Sequence, residues 1–320
     1  MFKNRKAWLI VISSLISLVI ITVLGVRSDL IVLDPKGPVG EIQKDLIIFS
    51  LYFMLAIVVI IFAVFTFVII KYRNRKNFND RDYDPNLHGS TKLEIIWTLI
   101  PLLIVIALSI PNAKALYDLK EAPKSTAHKE PIVIHATAVD WKWIFSYPEE
   151  EIETINYVNV PENHPVLFKI TAADSMASFW VPQIGGQVYG MPGMVNELYL
   201  QADEVGTYEG RNSNFTGEGM AHQQFDFVAL NEEEYSSWVE ETKETAPELT
   251  EETYQKLMLP DTAERTTFSS THLDFVDHGL NSTYALKVRA DHGLIEEPID
   301  EGEEGSHEHE HSNHGSHAHH

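Results

Sequence analysis

Glu94 is the ionisable residue in this sequence whose position most suggests chemistry. It lies in HGSTKLEIIWTLIP (88–101), at the edge of an uncharged apolar run over 95–113. A carboxyl group there is costly in hydrocarbon unless it sits at the interface, is paired, or serves proton movement. The plainest of these readings is an interfacial carboxylate at a helix N-terminus, where the helix dipole favours negative charge. Redox and metal chemistry have less to work with. The chain contains no cysteine, so it can form no thiolate–copper site, no disulfide and no dithiol redox motif. His135, His164 and His222 are single histidines, and a lone histidine is ordinarily solvated or hydrogen-bonded rather than a metal ligand. Seven histidines fall between 307 and 320 in an acidic low-complexity tail over 296–320, where weak binding of transition metal ions competes with a simple solvated, disordered segment.

The elements around these residues divide the chain by charge. Residues 1–120 carry 14 Lys and Arg against 9 Asp and Glu, and the remaining 200 carry 10 against 37. That asymmetry predicts a basic, membrane-anchored half and an acidic domain in water, and it excludes nucleic acid as a partner of the acidic half. Residues 1–26, with Lys3, Arg5 and Lys6 before an apolar run, have the layout of a signal peptide or signal anchor. A short extracytoplasmic segment is expected over 27–45, and a transmembrane helix over 46–70, which is free of charge and long enough to cross roughly 30 Å of hydrocarbon. The loop 71–92 opens on Lys71, Arg73, Arg75 and Lys76 and so faces the cytoplasm. A second transmembrane helix over 93–113 then places everything after it outside.

From 131 onward, short runs rich in Val, Ile, Thr and aromatic residues (132–139, 141–145, 166–172 and 195–202) are broken by Pro, Asn and Gly. They predict an antiparallel β-sandwich within 114–230. Residues 231–295 turn helical and acidic, with apolar positions such as Tyr235, Trp238 and Val239 spaced for amphipathic helices on a neighbour.

Two further segments carry a resemblance. DSMASFWVP (174–182) and YEGRNSNFTGEGMAHQ (208–223) resemble the metal-binding half of subunit II of the haem-copper respiratory oxidases, whose patterns read D-x-x-H-S-F-W-x-P and G-Q-C-S-E-L-C-G-x-x-H-x-x-M. The framework stands in register through Ser178, Phe179, Trp180, Pro182, Tyr208, Gly210 and Gly217, yet each copper ligand is replaced: the histidines by Ala177 and Met220, the cysteines by Asn212 and Thr216, the methionine by Gln223. DWKWIFSYP (140–148) is similar to the aromatic segment that receives electrons from cytochrome c in that family, and EIIWTLIP (94–101) to its second helix.

The resemblance implies a membrane-anchored α+β protein, with two transmembrane helices, an N-terminal signal or anchor helix, an extracytoplasmic cupredoxin-like sandwich without metal, and a helical, aromatic-rich C-terminal arm. It points to the quinol-oxidising branch, because a donor dissolved in the bilayer makes an external copper relay unnecessary. On that reading the chain holds no cofactor, and the haems and copper belong to subunit I. Its partners are subunit I, smaller membrane subunits and the lipid bilayer of a bacterial cell membrane, with quinol the substrate of the complex. Glu94 is implied to stand at the entrance of a proton pathway into subunit I. Trp141, Trp143 and Trp180 are structural, with Trp141 and Trp143 expected to pack the outer domain on its partner, and Arg211 and Asn212 are expected to satisfy loop backbone groups. Within the family, a cytochrome c oxidase subunit that has lost its centre is the runner-up. From another class, a membrane-tethered, copper-free cupredoxin that binds metal through its tail or assists assembly stays open.

Overall fold

The computed structural model describes residues 30–72 and 89–296, together with Ile16. The expected signal or anchor, most of the basic loop and the acidic histidine-rich tail lie outside these residues. Two long helices come first: α1 (Pro38–Tyr72, 35 residues) and α2 (Thr91–Asp118, 28 residues). Both are long and apolar enough to cross a membrane, with mean hydropathy of 3.3 and 2.5 over their most apolar windows. At 1.5 Å per residue α1 is about 52 Å long, well beyond the hydrocarbon thickness, so its ends extend past the predicted 46–70 span.

The reason α1 starts early is its contact with the outer domain. Pro38 takes the first helical position, where a missing N–H costs nothing. Gly40 N donates to Ile184 O at 2.9 Å and Lys36 N to Gln183 O at 2.7 Å. A Cβ on Gly37 would lie 2.0 Å from the carbonyl oxygen of Gln201, so this approach of backbone to backbone requires glycine. Gln43 Oε1 accepts from Gly186 N at 3.2 Å, and α1 is thereby joined to the sandwich it carries.

The sandwich contains β1 (Ile132–Val139), β2 (Lys142–Tyr147), β3 (Ile152–Ile155), β4 (Tyr157–Pro161), β5 (Val166–Ala172), β6 (Ala177–Val181), β7 (Gly185–Gly190), β8 (Asn196–Leu200), β9 (Gly206–Asn212) and β10 (Gln224–Leu230), with β11 (Thr266–Phe268) arriving later. One sheet has the order β11-β3-β2-β1-β5-β8 and the other β4-β10-β9-β6-β7. The predicted antiparallel pairing holds for seven of the nine strand pairs among the described residues, with two exceptions. β1 runs parallel to β5 and β10 parallel to β4, because connections that cross from one sheet to the other bring strands back in the same sense.

The inner faces meet in a core that includes Ile134, Trp143, Phe145, Phe168, Phe179, Phe225 and Phe227. The C-terminal arm supplies α3 (Glu232–Thr245), α4 (Glu251–Leu257) and α5 (Tyr284–Asp291). Its first helix begins at a capping box, Asn231 Oδ1 accepting from Glu234 N while the Glu234 carboxylate accepts from Asn231 N. The arm lies on the outer face of the six-stranded sheet, where Tyr254, Met258, Leu249 and Val288 form a second core with Val139, Ile144 and Ile155. Every residue of β2 and β3 is therefore buried, and neither strand shows the alternation of a half-exposed sheet.

Candidate functional site

The five positions where the resemblance puts copper ligands come together at one end of the five-stranded sheet. Ala177 opens β6, Asn212 closes β9, and Thr216, Met220 and Gln223 follow on the loop into β10. Three of these side chains bond to one another. Asn212 Nδ2 donates to Gln223 Oε1 at 2.7 Å and to Thr216 Oγ1 at 3.0 Å, and Thr216 Oγ1 donates to Gln223 Oε1 at 3.2 Å. Asn212 Oδ1 accepts from the backbone N–H groups of Ser178 at 2.8 Å and Asn214 at 2.9 Å. This buried amide thus uses both donors and both lone pairs, and it ties β6 to the loop as a ligand would. Arg211 does not share that work: its guanidinium pairs with Glu209 at 2.7 Å, which corrects the expectation that it satisfies loop backbone.

The DWKW segment wraps under the same loop. Trp141 takes a left-handed backbone conformation with φ 64°. Its indole N–H donates to Thr216 O at 2.9 Å, and its ring lies so close to Gly219 that a Cβ there would come within 2.1 Å. Trp143 is 0% exposed and contacts Phe179 and Phe225 edge-on at 5.4 and 5.7 Å between centroids. It is a core residue, and the expectation that it packs against a partner subunit is corrected, because the inward face of β2 leaves it no outer surface. Trp180 is half-buried on β6.

Two charged residues of this segment are covered by the arm. Lys142 Nζ donates to the backbone oxygens of Leu259 at 3.0 Å and Asp261 at 2.8 Å, and burial lowers its pKa to about 8. Arg289 on α5 reaches Asp140 at 3.0 Å and Asp174 at 2.8 Å and donates through Nε to Met258 O. Burial, and then the hydrogen bond and charge of Asp174, raise Asp140 to about 7. Sequence reading missed Arg289 altogether, since nothing in its neighbourhood of the chain announces two acids more than 100 residues away.

Comparison with known proteins bears on this arrangement. Residues 25–114 match the family model described as cytochrome c oxidase subunit II, transmembrane domain, and residues 149–229 the one described as its periplasmic domain. A quinol oxidase subunit 2 from Bacillus spizizenii is 56% identical over 272 residues, which is 85% of this chain and 85% of that protein. The chain belongs to the quinol oxidase subunit II family. A further member, from Bacillus cereus, is 49% identical over 79% of this chain and 87% of its own length. The solved periplasmic domain of cytochrome oxidase subunit II from Bradyrhizobium japonicum is 26% identical, covering 36% of this chain and 96% of that one, with a TM-score of 0.35.

As a member of this family the chain is a membrane protein with its C-terminal domain on the extracytoplasmic side. The donor set at the positions where the resemblance puts copper ligands does not fit a dinuclear copper centre, which needs soft thiolates. An amide, a hydroxyl, a second amide, a methyl group and a thioether stand there, and the two amides are already bonded to each other. Among the described residues no group of three or more His, Asp or Glu is placed to hold a metal ion. Glu94 stands in the first turn of α2, where its backbone N–H donates to Ser90 O at 3.0 Å, and its neighbour on the helix, Trp97, is 64% exposed. Glu94 is remote in the chain from the loop 212–223, at the opposite end of α2 from the outer domain.

Proposed function

We propose that this chain serves as subunit II of a terminal quinol oxidase, in which it anchors and caps the complex and relays no electrons itself. The observation that carries this reading is the closed amide and hydroxyl cluster of Asn212, Thr216 and Gln223, which stands where the resemblance puts two cysteines and a methionine. A water-soluble donor must hand its electrons over outside the membrane and so needs a relay there. A quinol dissolved in the bilayer can reach the partner subunit directly. The haems, the oxygen-binding copper and the quinol site belong on this reading to subunit I, and the smaller membrane subunits complete the complex.

Glu94 has a second task in this proposal, at the entrance of a proton path from the cytoplasm into subunit I. The support is its place at the boundary of the apolar layer together with the family motif around it. The acidic outer half would draw a basic cytochrome c by long-range attraction, but attraction without an acceptor transfers nothing. The test is oxygen uptake by the complex purified through this chain, with reduced quinol or reduced cytochrome c as donor, beside its copper-to-haem ratio. Rapid uptake from quinol alone, with only the copper expected of subunit I, is the expected result. Uptake from cytochrome c overturns it, and recovery of the chain without haem favours a tethered binding protein.

A further inference from the structure

Where α1 and α2 emerge from the apolar layer on the extracytoplasmic side, they flank an open cleft of about 400 Å³, within the size range of sites for small organic molecules. Its walls change character along the membrane normal. Leu46, Phe49 and Pro111 line the hydrocarbon side, and Asp45, Lys114 and Asp118 the water side. Asp45 is the last charge before the uncharged run 46–70, and Lys114 is the first charge after the uncharged run 95–113. Both therefore sit at the level of the outer-leaflet head groups.

The charges at the mouth are not balanced by the protein in the same way. Asp118 is paired with Lys124 at 3.0 Å. Among the described residues neither Asp45 nor Lys114 has a side-chain ion pair or hydrogen bond, and each lines the same cleft. The cleft thus offers one unpaired anion and one unpaired cation above an apolar slot. We propose that it binds a phospholipid with a primary-amine head group, such as phosphatidylethanolamine, with the phosphate on Lys114, the ammonium on Asp45 and an acyl chain along Leu46 and Phe49.

Competing occupants match less of the site. A neutral quinol ring leaves both charges without a counter-ion, and an anionic lipid answers Lys114 only. A quaternary ammonium head group has the right charge but no N–H to donate to the Asp45 carboxylate, so it forgoes the charge-assisted hydrogen bonds that make such pairs short and strong.

The test uses the complex recovered through this chain in mild detergent and exposed to phosphatidylglycerol vesicles containing isotope-labelled phosphatidylethanolamine or phosphatidylcholine. Labelled lipid retained per chain after washing is then read by mass spectrometry. The expected result is retention of the ethanolamine lipid at about tenfold over the choline lipid, the factor equivalent to one charge-assisted hydrogen bond. Asp45→Asn and Lys114→Gln should each lower retention about tenfold on the same grounds, while Lys114→Arg and Lys120→Gln, a lysine outside the cleft, should retain it. Equal retention of the two lipids, unchanged retention in Asp45→Asn and Lys114→Gln, or an equal loss in Lys120→Gln would overturn the proposal, as would a partner helix found filling the cleft.

Discussion

Asn212 shows how a single buried amide can fix the shape of a loop. Four hydrogen bonds converge on one buried amide, two of them from backbone N–H groups of different segments. Removing that amide leaves those groups buried and unpaired, and each such group costs about 1–3 kcal/mol. Asn212→Ala is accordingly expected to destabilise the domain by roughly 3–5 kcal/mol, more than loss of a single bond would, as chemical denaturation would show. A loss below about 1 kcal/mol, the worth of one ordinary hydrogen bond, would mean that the loop is held mainly by the packing of Trp141 on Gly219. That 212 offers no thiolate was legible in the sequence, because residue type alone excludes that chemistry. It could not show that Asn212, Thr216 and Gln223 close on one another, which depends on side-chain geometry, nor that Trp143 points inward, which depends on the face of β2 that meets the second sheet.

At the scale of elements, the arm is held by buried charge as well as by apolar packing. Arg289 is the counter-ion of Asp140 and Asp174, and removing one partner of a buried pair typically costs about 3–5 kcal/mol. Arg289→Met should therefore loosen the arm: amide exchange in 250–291 should rise while the inner core of Phe168, Phe179 and Phe227 stays protected, and uniform exchange would indicate that arm and sandwich unfold as one. The pH dependence follows from groups beneath the same arm. Burial lowers His278 to about 3 and His135 to about 4 from 6.5. Unfolding releases them to bind protons, so the stability they confer is complete above about 6.5 and is lost as pH falls toward 4. Asp140 acts the other way, since its raised pKa favours the folded state at low pH and that gain is lost as pH rises through about 7. Two histidines against one carboxyl leave a net fall in stability on acidification. A thermal series from pH 7 to 4 should show it, steeper in Asp140→Asn and shallower in His278→Gln. The helical character of the arm was readable from spacing. Its position was not, because β11, the parallel pairs and the second core arise from contacts far apart in the chain, and a sheet covered on both faces lacks the period-two signal that would mark it.

Across the whole molecule, the two candidate sites lie at opposite ends of α2. The outer domain closes an amide and hydroxyl cluster where the resemblance puts copper ligands, while Glu94 places an ionisable group at the cytoplasmic end of α2, where only an interfacial, paired or proton-handling role is tolerable. These alternatives separate in kinetics. If protons pass by Glu94, removing its acidity slows turnover without touching the donor site. Glu94→Gln should then lower kcat for oxygen reduction severalfold with the quinol KM unchanged, and Glu94→Asp should retain more activity because a carboxyl group remains. If Glu94 is only an interfacial carboxylate favoured by the helix dipole, both substitutions leave kcat as it was and at most cost about 0.3–1 kcal/mol of helix stability. A rise in KM would locate the effect at the donor site instead and would count against a separation between proton uptake at this end of α2 and quinol oxidation in the partner. Proton uptake measured from the inner side of reconstituted vesicles distinguishes the cases directly, since only a pathway residue couples its own protonation to each turnover.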